Sequence, residues 1–346
     1  MRRFLFKLSI IVIPVGIIVA AFNFFVDPAN LFFPRDYVAG VAGIMLRGHN
    51  VDNVSNYNER LLQEQMITRV AAKPNIVVMG SSRIMEIGSD FFPGKMVLNV
   101  GVSHANIHDL VAITGLLDST GHLPEEIYMN VDAGLISEQH TSEWQSIAPY
   151  YYYFTRKYVD PKLISQKDNK ESYPRLTAFF SLEYFKQSLE FLLAHGDKHY
   201  TDIQVQKPVK YGRFADGSVC YSETYKHPDT IKVASDAAIT GAKEGLTLPN
   251  KDNIKLLKSL LAFFHQRGIK VHFLKLPYHF AYYAAVNKKQ DNLFNHYDTI
   301  YNQIAVERQL TITGSFDATR YHMNGSDFYD MYHCSKEAIK KIFNTR

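Results

Sequence analysis

The sequence predicts an α/β fold built on a mainly parallel five-stranded sheet. Short apolar runs such as Asn75-Ile76-Val77-Val78-Met79 alternate with longer segments whose apolar residues recur at helical spacing. Two of these runs end in small-residue turns, Gly80-Ser81-Ser82 and Asn99-Val100-Gly101. The composition fits a folded globular chain: of 346 residues, 46% are hydrophobic and 21% are charged.

The N-terminus comes first. Arg2, Arg3 and Lys7 form a basic flank (residues 1–7) before Leu8 to Val26, which carries no charge. At ~1.5 Å per residue this run reaches roughly 28 Å, close to the hydrocarbon thickness of a bilayer. It predicts one transmembrane signal anchor over 8–26, with the N-terminus cytoplasmic and the body of the chain extracytoplasmic. The rival reading is a cleaved signal peptide, for which Ala20-Ala21-Phe22 is a poor cleavage site. Asp27-Pro28 ends the helix, and 27–73 reads as a juxtamembrane segment with a helix from Asn58 to Val70.

The sheet begins with Ile76 to Met79, followed by strands at Met96 to Val100 and Ile127 to Val131. A helix from His104 to Leu117 lies between the last two. Asn253 to Gln266 is helical with a stop at Gly268, and Ile269 to Leu276 is the fourth strand. A helix from about Gln290 to Glu307 leads to the fifth, Leu310 to Thr313. Between about 136 and 249 the alternation lapses. This insertion holds the tract Tyr150-Tyr151-Tyr152-Tyr153-Phe154, a helix from Ser181 to Ala194 and a hairpin turn at Asp216-Gly217. The tract is expected to pack on the sheet layers, with a carbohydrate-stacking surface as the alternative.

The chemistry-bearing residues are Ser82 at a strand end and Asp330-Met331-Tyr332-His333 near the C-terminus. A serine hydroxyl needs a base to take its proton, and the base needs a partner to hold its tautomer. Ser82 is therefore the expected nucleophile, His333 the base and Asp330 the orienting carboxylate. The backbone amides of Ser82 and Gly101 are the expected oxyanion donors. Carboxyl ends of parallel strands are where such sites form.

Other readings are excluded or weakened. A net charge of +4 without a basic stripe gives no nucleic-acid surface. Two cysteines, Cys220 and Cys334, make neither a disulfide scaffold nor a thiolate cluster. His104 with His108, and His195 with His199, are spaced four apart but lack further ligands, so no metal is expected. No Gly-x-Ser-x-Gly elbow or phosphate-binding glycine loop occurs, and no cofactor is expected.

These residues resemble the SGNH (GDSL-like) hydrolases. Gly80-Ser81-Ser82 is similar to their Gly-Asp-Ser block with serine replacing aspartate. Asn99-Val100-Gly101-Val102-Ser103 matches Asn-x-Gly-x-Ser, and Asp330 to His333 matches Asp-x-x-His before a final helix. The third block, Gly-x-Asn-Asp, is replaced by Tyr128-Met129-Asn130-Val131-Asp132, so its oxyanion asparagine is not matched. The resemblance implies a three-layer SGNH-like ectodomain over 74–346, apart from the insertion. An anchored ectodomain with Gly-Ser-Ser is similar to two groups, the D-alanyl-lipoteichoic acid transfer proteins and the SGNH-like proteins of alginate and cellulose O-acetylation. For this chain that implies acyl transfer or ester cleavage on an envelope glycan or polymer through an acyl-serine, beside a multi-spanning membrane acyltransferase. A catalytically inactive polymer-binding or assembly module is the alternative. Arg83 would meet an anionic group or pair with Glu86, and Asn130, Asp132 and His104 are candidate substrate contacts.

Overall fold

A computed structural model describes residues 2–138, 142–163, 178–194, 196, 199–243 and 246–344. In chain order, α1 (Arg2–Val26), α2 (Pro34–Met45), β1 (Val51–Asp52) and α3 (Glu59–Arg69) precede the main sheet. Then come β2 (Ile76–Met79), β3 (Val97–Asn99), α4 (Ile107–Ser119), β4 (Glu126–Asn130) and α5 (Ala148–Tyr158). The insertion continues with α6 (Leu182–Leu193), β5 (Thr201–Asp202), β6 (Gly212–Arg213), β7 (Val219–Cys220), α7 (Glu223–Lys226) and α8 (Thr230–Lys243). The chain closes with α9 (Lys251–Gln266), β8 (Lys270–Lys275), α10 (Phe280–Lys289), α11 (Leu293–Arg308), β9 (Thr311–Gly314) and α12 (Lys336–Asn344).

The main sheet has the order β3-β2-β4-β8-β9, and every pairing in it is parallel. All four residues of β2 are buried, as an apolar run covered on both faces requires. Alternation then divides them. Val77 and Met79 join the core under α3, α4 and α9, whereas Ile76 and Val78 join a second core with Ile339 and Ile342 of α12. The result is three layers, helix–sheet–helix. The order reverses between β2 and β4, and the carboxyl ends of these two strands flank the crevice that such a reversal opens.

Gly80 closes β2 because nothing larger fits. A Cβ there would lie 2.5 Å from the Asn130 Cβ of β4, and its φ is +148°. Ser81 then leads into a one-turn 3-10 helix at Ser82–Ile84. On the far side of the crevice, α4 begins with a capping box in which the Asn106 side chain and Asp109 satisfy each other's backbone donors.

The five main strands lie within a residue or two of their expected limits. The structure departs from expectation elsewhere. The single helix expected over 290–307 is preceded by α10, and the break falls at Asp291 and Asn292, both at positive φ. A second sheet, β5-β1-β6-β7, joins the segment after α2 to the insertion in antiparallel pairs. Its strands are two residues long and show no periodicity to read. The tyrosine tract lies in α5, where Tyr151 and Phe154 are buried in the main core.

Among the described residues no helix is long and apolar enough to cross a membrane. The expected anchor run is nonetheless helical throughout α1, and Ile10, Ile13, Ile17 and Ile18 on it are all more than half exposed. Its C-terminal end is docked: the buried Asn23 amide donates to the carbonyls of Ala178, Phe179 and Ser181, just before α6.

Candidate active site

The turn after β2 points Ser82 toward the segment that precedes α12. Ser82 Oγ lies 2.8 Å from His333 Nε2, and His333 Nδ1 lies 2.8 Å from Asp330 Oδ2. Asp330 also accepts the backbone N–H groups of Tyr332 and His333 at 2.7 and 2.8 Å. Burial by itself would raise the Asp330 pKa. Hydrogen bonding and charge attraction from His333, with bonds from Tyr225 and the Tyr332 N–H, outweigh it and bring the group down to about 2. An ionised Asp330 holds the imidazole proton on Nδ1, which leaves Nε2 as the acceptor for the Ser82 hydroxyl. The three expected catalytic residues are thus brought into one continuous line.

A fourth group comes from the insertion. Tyr225 on α7 donates its hydroxyl to Asp330 Oδ2 at 2.7 Å and stands 3.2 Å from His333 Nδ1. Burial, followed by the neighbouring carboxylate, pushes its phenol pKa up, so it stays a donor. Nothing in the sequence marked this tyrosine out among the many in the insertion. Its position depends on tertiary docking: a Cβ on Gly217, in the β6–β7 turn, would sit 2.3 Å from Asn99 O.

The oxyanion donors divide. Ser82 N–H begins the 3-10 turn and so has no intrahelical acceptor. Gly101 N–H is engaged: it donates to Asn99 Oδ1 at 2.9 Å, a local side-chain turn of the kind asparagine favours. Asn99 is fully buried, and its amide also donates to Ile84 O and Ile87 O. The Asn-x-Gly block therefore locks the nucleophile turn onto β3, and Gly101 N–H reaches a substrate oxygen only by sharing or releasing that bond.

The remaining candidates sort by exposure. Asn130 is buried behind the turn, where Oδ1 lies 2.9 Å from Ser81 Oγ and shares that hydroxyl's one proton with Asp132, and Nδ2 donates to Leu274 O at 3.2 Å. It does not line the cleft. Asp132 does line it, and it accepts from Ser81 Oγ at 2.6 Å and from Leu135 N–H at 3.1 Å. Ser81 thus occupies the aspartate position of the resembled block and serves as a strut to β4.

Arg83 is a buried staple, with no ion pair to Glu86 among the described residues. It stacks 3.7 Å over the Tyr278 ring and donates to Tyr332 O, Leu276 O and Pro277 O. Its Nη1 has no partner among the described residues. These bonds tie the Ser82 turn to the end of β8 and to the segment that carries His333.

His104 lies in the loop after β3 at φ +53°, in the left-handed region. The preceding residue is clamped from both sides by α3. Glu59 accepts Ser103 N–H at 2.5 Å, and Arg60 donates to Ser103 O at 2.8 Å. Both carriers are themselves paired: Glu59 with fully buried Arg213 of β6, Arg60 with Asp109 of α4. His108 is buried and stacks on Trp144. His195 lies outside the described residues.

Two more buried groups border the site. Glu86 follows the nucleophile turn at 5% exposure. Burial, its largest influence, raises its pKa to about 7 against the pull of Tyr329, Lys226 and Lys336. Cys334, next to His333, is free and buried, and burial pushes its thiol up to about 12, which leaves it an inert packing residue.

A scan of protein-family models and a search of curated proteins return no match to this chain.

Proposed function

We propose that the chain is a membrane-anchored, extracytoplasmic serine acyltransferase or esterase of the SGNH type, acting on acyl groups of an envelope glycan or polymer. The observation that carries the reading is the Ser82–His333–Asp330 line at the carboxyl end of a parallel sheet, with Oγ–Nε2 and Nδ1–Oδ2 both at 2.8 Å. Ser82 Oγ attacks the ester carbonyl while His333 Nε2 takes the hydroxyl proton. The tetrahedral oxyanion forms against Ser82 N–H. As the C–O bond of the ester breaks, His333 returns the proton to the departing alkoxide. The acyl-Ser82 is then discharged by water or by an acceptor hydroxyl, whose proton passes to His333 and back to Ser82 Oγ.

The exposed apolar surface of α1 and the basic residues in its first turns support the anchor. The anchor would hold the site at the membrane surface, where a multi-spanning acyltransferase is the natural source of acyl groups. A second reading, an inactive polymer-binding module, draws on the engaged Gly101 N–H and the inward Asn130.

Intact-mass analysis separates the two. Brief incubation with 4-nitrophenyl acetate is expected to add one acetyl group to the full chain, mapped to the Ser82 peptide and absent from Ser82→Ala. An unmodified mass under conditions that leave the fold intact would favour the binding module.

A further inference from the structure

The last turns of the apolar run in α1 do not stand alone, because α6 of the insertion packs on them. Phe22 meets Phe185 with ring centroids 4.8 Å apart, and Tyr184 donates its hydroxyl to Asp27 Oδ1 at 2.5 Å. Val19, Phe22 and Asn23 share one face of α1 by their spacing of three and four, and Val19 on that face is buried. The irregular turn at 178–181 is satisfied from the same face, since the Asn23 amide donates to three of its carbonyls. Non-helical backbone is tolerated at membrane depth only when it is satisfied in this way.

The helix has more apolar surface than α1 covers. Tyr184 and Ser188 are buried one turn apart. Leu182, Leu189 and Leu193, at spacings of seven and four, form a second stripe, and each is more than 40% exposed. Phe180, just before the helix, is exposed as well. Glu183, Lys186, Gln187 and Glu190 are exposed on a separate polar arc. Lone exposed leucines are ordinary. A stripe of them on a helix docked to α1, which itself exposes Ile10, Ile13, Ile17 and Ile18, calls for a partner.

We infer that α6 is a lipid-embedded helix, with its leucine stripe at the acyl-chain boundary of the extracytoplasmic leaflet and its polar arc toward the headgroups. This rests on the anchored reading of α1 and extends it. A helix packed on the last turns of an anchor shares the anchor's surroundings, so lipid around Val19 and Phe22 also meets α6. Its 12 residues reach ~18 Å, short of a hydrocarbon core of ~30 Å, so α6 occupies one leaflet and does not span. Separate leucine and charged arcs are the pattern of a helix lying in the interface. The insertion that supplies Tyr225 is thereby held to the bilayer at a second point.

The test uses the full chain in phosphatidylcholine vesicles with brominated acyl chains, which quench tryptophan on contact. Trp144, the only tryptophan of the sequence, is buried in the core and serves as the unquenched reference. Leu189→Trp is expected to lose about half of its added emission, whereas Gln187→Trp on the polar arc keeps its own. Ile13→Trp reads the anchor separately, and thermal melts confirm that each variant folds. Quenching at Ile13→Trp without quenching at Leu189→Trp overturns the inference and leaves the anchor standing. Aqueous iodide then tells whether the stripe faces water or is covered by protein, such as a second copy of the chain. Equal quenching at Leu189→Trp and Gln187→Trp overturns the interfacial orientation, since α6 is then submerged on all sides. No quenching at Ile13→Trp overturns the anchor; quenching at Leu189→Trp alone still upholds lipid contact by α6, and its absence there rejects both.

Discussion

The turns at the ends of β2 and β3 and the insertion reach the same histidine by different means. The turns are held by short-range backbone and side-chain bonds: Asn99 to Gly101 N–H, Ile84 O and Ile87 O, and the Asn130 Cβ against Gly80. The insertion arrives through single side chains from distant positions: Tyr225 on Asp330, Arg213 on Glu59, and the Gly217 turn against Asn99. In the proposed function, the first region carries the reacting serine. The second orients one member and shapes what approaches it. Damage to the two regions is therefore expected to differ in kind as well as in size.

The largest effect belongs to the first region. Ser82→Ala or His333→Ala is expected to lower kcat/KM for an ester substrate by about 10⁴-fold or more, as loss of a cooperating nucleophile–base pair does. A loss below tenfold would remove the distinction between the regions.

Glu86 lies beneath both. Its folded pKa of about 7 exceeds the reference of 4.5. The protonated side chain therefore contributes its full stability below pH ~4.5, and that contribution is lost as pH rises through 7. The difference corresponds to about 3 kcal/mol. Glu86→Gln is expected to raise denaturant-measured stability at pH 8 by about that amount and to flatten the decline between pH 5 and 8. An unchanged pH slope would show that the carboxyl is charged at little cost.

Gly80→Ala places a methyl where only 2.5 Å separates it from Asn130. A loss of ~2–3 kcal/mol is expected from overpacking, together with a steep fall in activity as the turn shifts. Unaltered unfolding would mean that β4 yields easily and that the first region is less rigid than described.

Tyr225→Phe is the smallest change and the most informative about the insertion. It removes one hydrogen bond to a charged carboxylate, worth ~1.5–3 kcal/mol where fully expressed. With three other donors remaining on Asp330, the Tyr332 and His333 backbone N–H groups and His333 Nδ1, kcat is expected to fall about tenfold with KM and melting temperature unchanged. A change in KM alone would make Tyr225 a binding residue and not a positioning one.

The same contrast governs what the sequence discloses. The strands β2, β3 and β4 are readable because apolar runs buried on two faces leave a continuous signature, and β8 and β9 are readable from the helices that precede them. Asp330 and His333 were readable because three residues of spacing let a carboxylate meet an imidazole locally. Tyr225, Arg213 and the clamp of Glu59 and Arg60 on Ser103 were not, since each acts across a long sequence separation with no local pattern. The small antiparallel sheet escaped for the same reason: Val51 pairs with Asp202 through strands two residues long. Asn99 and Gly101 are legible as a block, but their mutual bond depends on an asparagine rotamer that only the fold selects.

In the proposed function, His333 activates Ser82 for covalent chemistry. The most direct measurement is labelling of the full chain with a fluorophosphonate probe, followed by peptide mapping. A single adduct on Ser82 is expected, lost in Ser82→Ala and slowed at least a hundredfold in His333→Ala. Labelling at another residue, or equal labelling of the His333→Ala variant, would contradict it.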